Sequence, residues 1–117
     1  MKLLTSCCLT AIASCFAVTA TACDNPAMVT IPDGKTSTMD KLLEAQANVK
    51  TYMAEMEEYL ACLNEELETA GDEAPAEFKS LMVTRHNTAV SEMESVAAAF
   101  NVQVQAYKAA NPAPAAN

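Results

Sequence analysis

Apolar residues recur along most of this chain at alternating spacings of three and four. One series runs Met39, Leu42, Gln46, Val49, Met53, Met56, Leu60, Leu63 and Leu67, with Gln46 as its polar interruption. Such spacing marks the seam of a helix that packs against another helix. A second series follows at Met82, His86, Ala89, Met93, Val96, Phe100, Gln103 and Tyr107. Gly71 stands just past the first series, where a helix-ending glycine belongs. Asp72-Glu73-Ala74-Pro75 then sets acids and a proline where a new helix opens. The pattern predicts helices over about 38–70 and 74–110 joined by a short loop. The expected fold is all-α: a long antiparallel two-helix hairpin, coiled-coil-like, about 50 Å in length. Facing residue numbers then add to about 145. Leu63 meets Met82, Gln46 meets Ala99 and Tyr59 meets His86.

The second helix carries a further stripe at Val83, Val90, Ala97 and Val104, each seven apart and beside the seam. A helix pair buries one stripe per helix, so this one is a candidate interaction face. The candidates to cover it are the segment preceding the hairpin and another protein chain, including a second copy.

That preceding segment, residues 23–37, reads as an extended arm. Pro26 and Pro32 exclude regular helix, and Pro32-Asp33-Gly34 is a turn in which proline presets φ and glycine accepts positive φ. Ser37 or Thr38 offers an N-cap to the first helix. At the other end, residues 111–117 read as a disordered tail.

The first 22 residues follow a different pattern. Lys2 precedes an apolar run to about Val18, and Ala20-Thr21-Ala22 is a small-residue cleavage signal. This is the layout of a secretory signal peptide. A membrane anchor fits less well, because Thr5, Ser6, Thr10 and Ser14 interrupt the run and no basic cluster follows it. The expected location is the periplasm or the extracellular medium, where disulfides persist. Ile12-Ala13-Ser14-Cys15 also resembles a lipobox, so a lipoprotein anchored through Cys15 is the alternative to cleavage after Ala22. Ala20-Thr21-Ala22-Cys23 matches a lipobox less well, and lipidation there would remove Cys23 from disulfide chemistry.

Of five cysteines, Cys7, Cys8 and Cys15 fall in the leader, which leaves Cys23 and Cys62 for one disulfide. On a heptad wheel Cys62 lies about 130° from the seam centre, with Tyr52 and Tyr59 between. The rise from Thr38 to Cys62 is about 36 Å, and the arm extends to about 46 Å. The arm can therefore double back along the first helix, with Met28, Val29 and Ile31 across Tyr52 and Tyr59. Closing that loop contributes about 4 kcal/mol in the chain-entropy model.

The residues Cys23, Ile31 to Gly34, and Tyr59-Leu60-Ala61-Cys62-Leu63 form a pattern Cys…IPDG…YLACL. It resembles a group of small uncharacterised exported proteins of proteobacteria. The likeness spans the arm and the first helix. It implies an envelope location and a Cys23–Cys62 bond, and no activity.

Charge narrows the partners. Without Lys2, six of the seven basic residues remain against fifteen acidic ones, a net charge of −9. Nucleic acid and anionic membrane surfaces, which require basic patches, are excluded as partners. Candidate chemistry is sparse. Gly34-Lys35-Thr36 is the tail of a P-loop, but Val29 stands where the first glycine is required. His86, the one histidine, reads as a polar break that fixes register, bonded to Tyr59 or Asn87; pH sensing is the sharper alternative. Met39, Met53, Met56, Met82 and Met93 read as core filling, although Met56, Met82 and His86 would also suit copper(I). Glu65, Glu66, Glu68, Asp72, Glu73 and Glu77 form an acidic hairpin tip, which reads as solvated; docking to a basic partner or weak binding of a divalent cation such as calcium is the alternative. The expectation is a non-enzymatic envelope protein without a cofactor or resident metal, acting in protein–protein interaction or self-association. A periplasmic protein binding a small ligand, copper or calcium is the second expectation.

Overall fold

The computed structural model describes residues 23–114. The expected signal peptide, with Cys7, Cys8, Cys15 and the Ala20-Thr21-Ala22 signal, lies outside the described residues. So do positions 115–117 of the expected tail. Helices α1 (Met39–Ala70) and α2 (Ala76–Ala110) pack against one another as a hairpin, and no strand occurs among the described residues. The fold is the expected all-α hairpin.

Local chemistry sets the ends of each helix. Thr38 is extended (φ −85°, ψ 162°), and its hydroxyl accepts the Lys41 amide at 3.3 Å. That satisfies one of the amides a helix start leaves unpaired. No glycine or proline interrupts the sequence from Met39 to Ala70. Gly71 then turns to φ 71°, the only positive φ among the described residues, and its amide donates to the Leu67 carbonyl at 3.2 Å. A residue with a Cβ would be strained there. The second helix opens at Ala76, two residues later than expected. Ala74 donates back to the Gly71 carbonyl at 3.2 Å, which holds Gly71 to Ala74 as a turn. Pro75, which has no amide to leave unpaired, therefore stands as the N-cap.

The core confirms the expected register and corrects half of the expected seam. Leu63 and Met82, Met56 and Ala89, and Val49 and Val96 are all buried, and each pair adds to 145. Met56 is wholly enclosed. The remaining buried positions on α1 are Leu42, Ala45, Tyr52 and Tyr59. Ala45, Tyr52 and Tyr59 thus take the places assigned to Gln46, Met53 and Leu60. Gln46 is exposed, Met53 and Leu60 are half-buried, and Met39 is 52 % exposed. The arm is the cause. Cys23, Val29 and Ile31 pack against the core as a third apolar layer, and α1 turns its two tyrosines toward them. Met28, assigned to the same layer, instead stands 62 % exposed.

Candidate functional site

The hairpin has two long grooves, one on each side of the plane of its helices. The arm fills one of them. Cys23 is bonded to Cys62, with the two Cα atoms 5.8 Å apart. From there the arm runs back along α1. Pro26 lines one depression with Glu55 and Tyr59, Val29 and Ile31 line another with Glu92, Val96 and Ala99 of α2, and Pro32 lines a third with Ala45. Met56 and Leu63 lie beneath, at the centre of the same core.

The arm ends in a turn anchored on α2. The Thr36 and Ser37 amides donate to the Asp33 carbonyl, at 3.3 and 3.0 Å, and the Lys35 amide donates to Asp33 Oδ1 at 2.9 Å. The Gly34 amide donates to Gln103 Oε1 at 2.9 Å, joining residues far apart in sequence. A Cβ on Gly34 would overlap the Gln103 carbonyl. Its φ is not positive, so this glycine serves close approach and not the turn's backbone angle. The Gly34, Lys35 and Thr36 amides that a phosphate would need are thus all committed within the chain.

Tyr52 is the unusual residue beneath the arm. It is 2 % exposed, and its hydroxyl has no hydrogen-bond partner among the described residues. Burial raises the phenol above its ordinary value, and the charge of Glu92 raises it further.

The opposite groove is open. At about 100° per residue, Glu92, Ala99 and Gln103 fall on the arm side of the buried row Met82, Ala89 and Val96. Val83, Val90, Ala97 and Val104 fall on the other side. Val90, Ala97 and Val104 are half-buried and Val83 is 51 % exposed. Met53, Leu60 and Leu67 of α1, also half-buried, continue the same surface. The arm therefore does not cover this stripe. Near the tip the open groove deepens beside Leu63, Leu67, Met82 and Val83, where Asn64, His86 and Asn87 supply its polar groups.

His86 and Tyr59 stand at one level but diverge. His86 lines the open groove, Tyr59 lies under the arm, and no hydrogen bond joins His86 to Tyr59 or Asn87. Gln46 and Ala99 diverge in the same way, since Ala99 faces the arm. Met82 and His86 do share a depression, while Met56 lies sealed in the core. Among the described residues, one group of three or more His, Cys, Asp or Glu side chains comes close enough to hold a cation: Cys23, Cys62 and Glu66. Its two sulfurs are bonded to each other, so neither is a thiolate ligand. The acidic tip residues Glu65, Glu68, Asp72, Glu73 and Glu77 are exposed and do not converge. No helix among the described residues is long and apolar enough to cross a membrane.

No protein-family model, curated protein or solved structure matches the chain. The Gly34–Gln103 anchor is the contact that periodicity missed. Gln103, a polar residue in a mostly apolar seam, was its one visible sign.

Proposed function

We propose that the chain is an exported, non-enzymatic envelope protein that works by association with another helical surface through its open groove. The observation that supports this is the unequal treatment of the two grooves. One is closed by a covalently fixed arm, and the other keeps a stripe of four heptad-spaced small aliphatic residues, three half-buried and Val83 exposed. Heptad-spaced Val and Ala suit close helix packing and offer no acid, base or nucleophile. The disulfide supports the exported part of the reading, because such bonds persist outside the cytosol.

The test is site-specific photo-crosslinking in intact cells. A photo-reactive residue at Val90 should give a defined protein adduct. The same residue at Val102, exposed on the outer side of α2, should give none. Absence of any adduct from position 90, or equal adducts from both positions, would remove the groove as the working surface.

A further inference from the structure

The geometry points to a second copy of this chain as the occupant of the open groove. This rests on the reading of that groove as an association surface and names its partner.

Charge carries the argument. The chain is strongly acidic, yet the rims of the open groove are balanced. Lys50, Glu57 and Glu68 lie along α1, and Lys79, Glu94 and Lys108 lie along α2, three of each sign. A basic partner would suit the acidic exterior but not this face. A copy of the same chain meets no net repulsion there.

The placement of those charges is self-complementary. With facing numbers adding to 145, Lys50 and Glu94 differ in level by one residue, about 1.5 Å along the axis. Glu68 and Lys79 differ by two residues, about 3 Å. Within one chain these groups stand on opposite rims. The single ion pair among the described residues is Lys41–Glu44, at 3.2 Å on the arm side. Lys79 donates one hydrogen bond, to the Asp72 carbonyl at 2.6 Å, and an ammonium carries three donors.

A half-turn about an axis parallel to the helices lays α2 of the second copy over α1 of the first without changing levels. Lys50 then faces Glu94 of the second copy, Glu68 faces Lys79 of the second copy, and symmetry repeats both pairs. Val83, Val90, Ala97 and Val104 lie between them, against Met53 and Leu60 of the second copy. A half-turn about an axis across the helices instead lays α1 over α1 and α2 over α2 with levels reversed. Centred midway between Lys50 and Glu68, it sets Lys50 against Glu68 and Lys79 against Glu94 of the second copy, so both half-turns match the charges. Either operation gives a four-helix bundle with the two arms on its outer faces.

The experiment is light-scattering mass of the oxidised exported protein, with Lys50→Glu, Glu94→Lys and the double variant beside it. The expected result is a dimer, weakened about tenfold or more by either single reversal; the double reversal restores it where α2 lies over α1 and weakens it further where like helices meet. A zero-length carbodiimide crosslink from Lys50 to Glu94 or to Glu68, in a mixture of light and ¹⁵N-labelled chains, should carry one peptide of each label. This arm needs no variant to fold. A monomer at all concentrations overturns the inference, as does a dimer indifferent to both reversals or Lys50 crosslinks found only within one chain. A monomeric protein that still gives the Val90 adduct in cells overturns the second copy alone. Loss of that adduct as well removes the groove reading beneath it.

Discussion

Tyr52 packs its ring where the helices and the arm meet, and it leaves a hydroxyl without a partner. An unpaired buried hydroxyl costs about 1–3 kcal/mol in desolvation. Tyr52→Phe should therefore raise stability, by about 1 kcal/mol in urea unfolding at neutral pH. The phenol's folded pKa is raised, by burial first and by Glu92 second. Its contribution is thus complete below the unfolded value near 10 and is lost as pH rises through the folded value. The native protein should lose stability from about pH 10 upward, and Tyr52→Phe should lose measurably less over the same range. Gly34 is the opposite case, a residue chosen for what it lacks. Gly34→Ala should destabilise by about 1–3 kcal/mol, because the added carbon meets backbone and not a movable side chain. Gln103→Ala should cost about 1 kcal/mol through its single hydrogen bond to Gly34.

The two helices are tied together by their own seam and by the element laid over it. Only Met82, Ala89 and Val96 of α2 are fully buried, and two of those three are small. The arm adds Val29 and Ile31 from the side and so encloses both tyrosines of α1. Reducing the Cys23–Cys62 bond should lower stability by about 4 kcal/mol. It should also release the arm before the hairpin, seen as faster amide exchange at Gly34 and across Cys23–Ile31 than at Met56. The helices, the loop at Gly71, the register and the disulfide were all legible in the sequence. Each follows from local spacing or from simple arithmetic on residue type. The buried face of α1 was only half legible. Leu42, Val49, Met56 and Leu63 belong to either possible seam, and the choice between Met53 and Tyr52, or Leu60 and Tyr59, depends on a third layer that heptad spacing does not encode. The open stripe was visible as a pattern, but not which of two grooves the arm would leave free.

At the scale of the whole molecule, one face is closed and the other is open, and that asymmetry should dominate behaviour in solution. Val90→Lys should leave the helical signal and the disulfide intact while abolishing association, measured as mass against concentration. Association through balanced charges should weaken as salt rises, whereas the Met56 core should not respond. One further consequence follows from the bond between Cys23 and Cys62, and it is mechanical. A force applied between the two ends of the chain passes Cys23 and crosses to Cys62 through that bond. The arm, its Gly34 anchor and about the first three-quarters of α1 lie inside the closed ring and carry no tension. Pulled between its ends, the oxidised protein should extend about 130 Å less than the reduced one, at about 3.4 Å for each residue in the 39-residue span. Whatever holds the N-terminus therefore pulls on the outer end of the hairpin and along α2, while the arm stays slack.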